Sequence, residues 1–154
     1  MELMVVVAIV GVLSVLALPS MRDLVTTNRM KSISLDLYGS LALARSEAIK
    51  RNSGSVSMIA AGGGWQDGWT VTCVDVAGSC GGGNVDLIAG DAVDIATITL
   101  AGPAGNIVTY NRDGRLATAS GTFTITANNG GSPTRCVTVD PSGRPRTKTS
   151  PVCN

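Results

Sequence analysis

The N-terminal third of the chain decides the fold, and it begins MELMVVVAIVGVLSVLALPSMRD at residues 1–23 and ends LYGSLALARSEAIKRN at residues 37–52. Residues 3–18 form an uncharged, mostly apolar run of sixteen, whereas a spanning helix usually needs about 20 residues. A signal peptide has a basic segment before its apolar run, but here Glu2 precedes it. The run is therefore interpreted as a retained helical anchor.

The same helical pattern continues beyond the apolar run. Apolar residues recur at i, i+4, i+7 and i+11 in Leu37, Leu41, Ala44 and Ala48, which places them on one helical face. The segment Asn52-Ser53-Gly54 is a helix stop signal. The sequence thus predicts one helix from Glu2 to about Arg51, which is ~75 Å long at ~1.5 Å per residue.

After residue 54 the apolar pattern changes to the period of two that is typical of strands. Clusters of Gly, Pro, Asn and Asp separate the candidate strands. The candidates are Ser55–Ala60, Trp69–Val76, Val93–Leu100, Asn106–Tyr110, Arg115–Ala119, Thr122–Ala127 and Arg135–Val139. This order predicts an α+β fold in which a long helix packs on a meander of antiparallel strands.

The composition argues against an enzyme. The chain has no histidine, which excludes histidine-based acid–base chemistry and most zinc sites. No glycine cluster opens a helix with Lys-Ser or Lys-Thr, so a nucleotide loop is not expected. Asp86, Asp91 and Asp94 lack the spacing of a calcium loop. We expect no catalytic residue, no cofactor and no metal ion.

The small net charge of +1 hides an uneven distribution. Residues 53–111 carry five aspartates and no Lys or Arg, whereas residues 112–154 carry six basic and two acidic residues. A basic end of this kind is typical of contact with an anionic partner. Trp65 and Trp69 could form a stacking surface, but packing in the core is the favoured interpretation.

The four cysteines, Cys73, Cys80, Cys136 and Cys153, form an even set without a CxxC pair. For an exported chain this favours disulfides over metal ligation, with three possible connectivities. Loop-closure entropy favours pairing of nearest neighbours, Cys73–Cys80 and Cys136–Cys153. The second bond would enclose residues 137–152 and restrict the unfolded state by about 3 kcal/mol.

The enclosed segment lies within RCVTVDPSGRPRTKTSPVCN at residues 135–154. Its Asp-Pro-Ser-Gly sequence at residues 140–143 is typical of a type I turn. Arg144, Arg146 and Lys148 then alternate, so in an extended chain they project to one side about 6.6 Å apart. Pro145 cannot donate to a β-ladder, which predicts an edge strand or a loop. Three cations in this arrangement suit phosphate groups.

Several quoted stretches resemble one protein family. Residues 1–24 resemble the N-terminal helix of type IV pilins and pseudopilins. LARSEAIKRN at residues 43–52, GWQDGWTV at 64–71, YNRDGRL at 110–116 and GTFTITANNGG at 121–131 resemble minor pilins and pseudopilins of the FimT/FimU/GspH class. The resemblance implies the type IV pilin fold, with a transmembrane or filament-core helix at residues 1–21. Residues 22–154 would form the globular domain, with the helix continuing to about residue 52 and a disulfide-closed basic loop at residues 136–153.

The resemblance also implies partners and location. Glu2 matches the glutamate that pilins use in assembly, where it meets the amino terminus of a neighbouring subunit. Relative to the family pattern, the chain lacks the basic leader and about three mature residues. The implied partners are major and minor pilins, the inner membrane before assembly and, for the full-length precursor, prepilin peptidase. The implied location is a single-pass inner-membrane protein with a periplasmic domain, and then a pilus on the cell surface.

Gly143-Arg144-Pro145-Arg146 resembles the GRxR motif of FimT-type minor pilins, which is associated with DNA capture for natural transformation. The resemblance is closest to that type and implies DNA contact through Gly143, Arg144, Arg146 and Lys148. Weaker candidates are Arg135, Arg112 and Arg115. No base-reading helix is evident, so contact with the DNA backbone is expected. The alternative is a structural minor pilin that initiates the pilus, or a type II secretion pseudopilin, with a loop that contacts neighbouring subunits.

Overall fold

The computed structural model describes residues 2–52, 55–75, 78, 80–130 and 132–153, and the side chains of residues 14–20 are not part of the description. Helix α1 spans Glu2–Arg51, and a short 3-10 helix spans Trp65–Asp67. The described strands are β1 Ser55–Ala60, β2 Trp69–Val74, β3 Val85–Gly90, β4 Ile98–Ala101, β5 Ile107–Tyr110, β6 Gly121–Ala127, β7 Arg135–Val139 and β8 Pro145–Thr149.

The predicted helix is confirmed over its full length. It ends where Asn52 adopts a positive φ of 50° and donates its backbone N–H to Ala48 O at 3.3 Å. The basic residues in the last turn interact favourably with the negative end of the helix dipole. The hydrogen bond from Arg51 holds the pKa of the Glu47 carboxyl below its usual range. Ser53 and Gly54, the rest of the predicted stop signal, lie outside the described residues.

The strands form two antiparallel sheets of four strands each, in the orders β3-β2-β1-β5 and β4-β6-β7-β8. The predicted α+β fold is confirmed. The simple meander is wrong, because β5 returns to lie beside β1 and β4 pairs with β6 in the other sheet. Helix α1 contacts strands of both sheets, so a single helix covers two sheets.

The core lies between α1 and the inner faces of the sheets. Leu37, Leu41, Ala44 and Ala48, the helix face predicted from the sequence, are all buried. The strands β2 and β6 alternate buried residues with half-buried or exposed ones, as expected where only one face of a sheet packs on a core. Burial of each large apolar side chain contributes about 1.5–3 kcal/mol.

Both tryptophans belong to this core, which confirms the packing interpretation. Trp65 contacts Phe123 edge-to-face, with 4.7 Å between the ring centroids. Its indole N–H donates to Pro103 O at 3.2 Å. The indole N–H of Trp69 donates to Ser40 Oγ on α1 at 2.9 Å, in a fully buried hydrogen bond. Each buried indole therefore has a polar partner.

The strand predicted at Val93–Leu100 begins five residues late, at Ile98. Local hydrogen bonds around Asp94 explain the difference. Its side chain accepts from the backbone N–H of Ala96 at 3.1 Å, and its carbonyl accepts from those of Thr97 and Ile98 at 3.1 and 3.0 Å. Such local bonds compete with a β-ladder, so this aspartate forms a turn in place of the predicted strand.

Two other differences concern exposed segments. Residues 115–119 were predicted as a strand but form only an isolated bridge between Leu116 and Tyr110, because the backbone N–H of Leu116 donates instead to Pro141 O at 3.2 Å. Strand β3 was not predicted, since it lies at a sheet edge and its mostly exposed residues lack an alternating pattern. The predicted end of β2 at Val76 lies outside the described residues, and the strand ends at Val74.

The first turns of α1 extend away from this core. Residues 2–13 are exposed, including Glu2 at the start of the helix. Among the described residues, no helical segment has both the length and the apolarity needed to cross a membrane. Met1 and the side chains of residues 14–20 lie outside the description, and the transmembrane assignment of residues 1–21 stays a prediction.

The buried Ser40–Trp69 hydrogen bond gives a test of the helix–sheet contact. Ser40→Ala should lower the free energy of unfolding by about 1–3 kcal/mol, because it leaves a buried indole N–H unpaired. Ser46→Ala removes an exposed serine from the same helix and should change stability by less than about 0.5 kcal/mol. Urea unfolding of both variants in uncharged detergent, followed by tryptophan fluorescence, measures the difference. Equal stability of the two variants would contradict this role of Ser40.

Candidate functional site

The turn that precedes the basic segment has the predicted geometry. The backbone N–H of Gly143 donates to Asp140 O at 2.8 Å, and Gly143 has a φ of +75°. The N–H of Asp140 donates to Arg144 O at 3.4 Å and closes the hairpin between β7 and β8. A type I turn followed by a left-handed residue is a common three-residue hairpin connection. The hairpin directs the chain from the buried strand β7 into the exposed strand β8.

This turn packs on a second turn at residues 111–115. In the second turn, the N–H of Gly114 donates to Asn111 O and the N–H of Asn111 donates to Arg115 O, both at 2.8 Å. A Cβ atom on Gly143 would lie 2.0 Å from Gly114 O, so only glycine permits this approach. We call the first turn, at residues 140–144, and the second turn, at residues 111–116, together the paired turns.

Helix α1 holds the paired turns in place. Arg45 Nε donates to Gly114 O at 2.9 Å. The side chain of Ile49, one helical turn further along, lies beneath Gly114. Arg45 was not predicted as a site residue, because nothing in the helical pattern reveals a contact with a turn sixty-nine residues away. The paired turns are therefore fixed to the helix as well as to the sheets.

Strand β8 presents two of the predicted cations on the outer face of its sheet. Arg146 lies opposite Thr138 and Lys148 lies opposite Cys136. The residues of β7 between and beyond these positions, Val137 and Val139, are buried against the core. Because side chains alternate between the faces of a strand, Arg146 and Lys148 project away from the core, and both are exposed. Of the two predicted alternatives, an edge strand or a loop, the segment forms an edge strand.

Two disulfides constrain the sheets. Disulfides join Cys136 to Cys153 and Cys73 to Cys80, which is the nearest-neighbour pairing favoured by the sequence. The first bond ties β7 to the segment after β8, so the basic strand is closed at one end by the hairpin and at the other by the disulfide. The backbone that carries Arg146 and Lys148 is therefore held at both ends.

The basic side chains of this region fall into three groups. Arg112 and Arg115 are exposed on the second of the paired turns, next to Gly143 and Arg144. Arg146 and Lys148 follow along β8. Arg135 is half-buried and shares the core-side face of β7 with Val137. It therefore lies on the opposite face of the sheet from Arg146 and Lys148, and the structure separates it from the other candidates.

The charge on Arg146 is partly balanced. Its Nε lies 3.4 Å from Asp140 Oδ2, with the two side chains 70% and 44% exposed. Exposed ion pairs of this kind stabilise a fold by at most about 1 kcal/mol, so a stronger anion can displace the aspartate.

The acidic residues considered for calcium lie elsewhere. Asp86 accepts a hydrogen bond from Thr72 Oγ1 at 2.7 Å, and Asp94 forms an ion pair with Arg29 at 3.7 Å.

Tyr110 lies under the paired turns and was not selected from the sequence. Its side chain is fully buried, and a Cβ on Gly143 would lie 3.1 Å from its ring. Within the described part of the chain its hydroxyl has no hydrogen-bond partner. Burial raises the pKa of this hydroxyl above its usual range, and the nearby Arg45 opposes the shift. The phenol remains neutral and serves as packing beneath the turn.

The family model described as type II transport protein GspH matches residues 35–143. The chain belongs to this family. The match covers the last third of α1, both sheets except β8, and the paired turns except Arg144. It stops before Arg146 and Lys148, so the match does not include the basic strand β8.

Three solved structures have the same fold. Two crystal forms of the type IV minor pilin FimU from Pseudomonas aeruginosa are 25% and 22% identical to this chain, with TM-scores of 0.60 and 0.62. Each match covers 80% of this chain, and 90% and 96% of the FimU chains. The minor pseudopilin EpsH from the type 2 secretion system of Vibrio cholerae is 16% identical, with a TM-score of 0.54 over 77% of this chain and 95% of EpsH. No curated protein sequence matches this chain significantly.

The predicted class of minor pilins and pseudopilins is thus confirmed at the level of the GspH family. Family and fold are those of pilins, which are structural proteins and not enzymes. The closer likeness to FimT stays a prediction, as do the assembly role of Glu2 and the DNA contacts.

The close approach of the paired turns predicts the effect of Gly143→Ala. The added methyl would clash with Gly114 O and would require a left-handed alanine, which costs about 1 kcal/mol or more before any clash. We expect a loss of about 2–4 kcal/mol in the free energy of unfolding. Gly105→Ala is the matched control, since Gly105 also has positive φ but open space around its Cβ position. Comparable losses in the two variants would show that the close approach contributes little.

Tyr110→Phe is expected to change the free energy of unfolding in the opposite direction to Gly143→Ala. The change removes a buried polar atom that has no partner among the described residues and keeps the ring that supports Gly143. Stability should stay equal or rise by up to about 1–2 kcal/mol. Thermal unfolding of the full chain measures the effect. A clear destabilisation would mean that the hydroxyl has a partner, such as a buried water molecule.

Proposed function

We propose that this member of the GspH family is a minor type IV pilin that binds extracellular DNA through its basic edge strand for natural transformation. The observation that carries the proposal is the arrangement of Arg146 and Lys148 on the outer face of β8. Arg144, Arg112 and Arg115 extend the positive charge along the paired turns. The contacts would be made to phosphates, and binding would not depend on DNA sequence.

The supports of the strand favour this function over a flexible charged tail. Hairpin, ladder and disulfide fix the backbone of β8 before any partner arrives. Cations that are already positioned lose less conformational entropy on binding. A stretched polyanion such as DNA can lie along an exposed strand edge and meet successive cations. In this proposal Gly143 acts by allowing the close packing of the paired turns, since it is buried and has no side chain to offer a ligand.

The anchor and the location follow from the same proposal. Residues 1–21 would hold the chain in the inner membrane with the domain in the periplasm, and later form part of the filament core in or at the tip of the pilus. Glu2 would make the assembly contact with a neighbouring subunit. Prepilin peptidase would process the full-length precursor, and the other pilins would be the permanent partners.

A second candidate is a purely structural subunit that initiates a pilus or a type II secretion pseudopilus. The fold likeness to both FimU and EpsH favours it. Its basic strand would then contact acidic surfaces of neighbouring subunits, and the isolated chain would not bind DNA.

A binding titration distinguishes the two candidates. The full chain in uncharged detergent is titrated with a labelled 20-base-pair duplex at several salt concentrations. If Arg144, Arg146 and Lys148 neutralise three phosphates, the logarithm of the affinity should fall with the logarithm of the salt concentration at a slope of about −2.7. Arg146→Ala with Lys148→Ala should flatten the slope by about 1.8 and weaken binding.

The control is Arg22→Ala with Lys31→Ala. It removes the same net charge from exposed helix positions outside β8 and the paired turns. It should leave the slope near that of the unchanged chain. Equal effects of the two double variants would mean that attraction is diffuse and that β8 is not the site. No binding by the unchanged chain would favour the structural candidate.

A further inference from the structure

A cavity of about 350 Å³ lies between α1 and the first of the paired turns. It has Tyr38, Ala42 and Arg45 on the helix side and Arg144 on the turn side. Its volume falls at the lower end of the ~300–1,000 Å³ range of small-molecule sites. The described residues that line it include two arginines and no acidic residue. The cavity is therefore the right size and charge for one phosphorylated group.

The helix side of the cavity has a regular origin. Tyr38, Ala42 and Arg45 occupy positions i, i+4 and i+7 and form a stripe beside the buried face. The small side chain of Ala42 leaves a gap between the two large ones. The sequence thus builds a notch on the helix surface, and the hairpin turn places Arg144 across it.

Each large side chain of the notch can contribute a different interaction. Tyr38 is 41% exposed, and its ring can stack on a flat apolar group. Arg45 is half-buried and anchored through Nε on Gly114 O, which leaves the outer end of its fork for an anion. Arg144 is exposed and presents a guanidinium fork that suits phosphate. An aromatic ring beside two guanidinium groups matches the base and the phosphate of a nucleotide.

We propose that this cavity binds one nucleotide of single-stranded DNA, with its base stacked on Tyr38 and its phosphate between Arg45 and Arg144. The inference rests on the proposed DNA binding and adds to it a preference for single-stranded over duplex DNA. In duplex DNA the base is stacked and paired within the helix and cannot reach the tyrosine ring. Duplex would therefore contact the exposed cations of β8 and the paired turns without entering the cavity, whereas a single strand would contact these cations and also place a base in the cavity.

The test compares single-stranded and duplex DNA on the full chain in uncharged detergent. Fluorescence anisotropy with labelled dT12 and with a labelled duplex gives the two affinities. Tyr38→Ala should weaken dT12 binding by about 5- to 150-fold, the range expected for the loss of one stacked base. It should leave duplex binding unchanged. Tyr38→Phe keeps the ring and should restore the affinity for dT12.

Ala42→Leu provides a second variant that keeps every charge. It fills the notch with a larger side chain at a half-buried position of the helix, and leucine is nearly as good a helix former as alanine. It should reduce the affinity for dT12 as Tyr38→Ala does and leave the duplex affinity as it is. Thermal unfolding of each variant checks that the domain remains folded.

Inorganic polyphosphate is the probe for charge without bases. Its affinity should not change in Tyr38→Ala, because it has no ring to stack. If Tyr38→Ala and Ala42→Leu both leave dT12 binding unchanged while the β8 double variant weakens it, the cavity assignment is wrong and the proposed function stands. If the unchanged chain binds neither DNA form, both proposals are wrong. An equal loss for dT12 and polyphosphate would also overturn the stacking role of Tyr38.

Discussion

The buried face of α1 is the constraint on which the rest of the domain depends. Two separate four-stranded sheets place their inner faces against one helix, so neither sheet has a complete core of its own. Leu37 and Leu41 fill the space in the middle of the helix, and Ala44 and Ala48 let the strands approach its last turns. The order of large and small residues along this face determines how closely each sheet can approach the helix. The polar Ser40–Trp69 bond inside this apolar contact fixes the position of the helix along the sheet.

The paired turns transfer that constraint to the surface. Arg45 and Ile49 of the helix hold the turn around Gly114. The backbone of Gly143 packs so closely on Gly114 that no side chain fits between them. Small shifts of the helix would therefore move the start of β8. This chain of contacts explains why the two positive-φ glycines are required at these positions, whereas several other glycines of the chain have open space around them. It also joins a part of the fold that matches the GspH family to a basic strand beyond that match.

The sequence predicted the helix, its buried face and most strands because each has a repeating pattern that a single segment reveals. Strands β1 and β7 agree residue for residue with their predictions, since clear turn residues bound them. The turn at Asp94 and the strand β3 could not be predicted in the same way. Asp94 stops a strand through hydrogen bonds that its side chain and carbonyl make locally, and β3 is stabilised by pairing with β2 and not by its own pattern.

Prediction of the candidate site had the same limit. Alternation of Arg146 and Lys148 is visible in the sequence because a strand separates its two faces by a period of two. The position of Arg135 on the other face required the register between β7 and β8, and the contact of Arg45 with Gly114 required the tertiary fold. Arg144 lies where the two surfaces meet: it precedes β8 along the chain and faces the helix notch in space. Arg144 therefore belongs both to the row of cations that continues along β8 and to the lining of the helix notch, because the geometry of one turn places it between them.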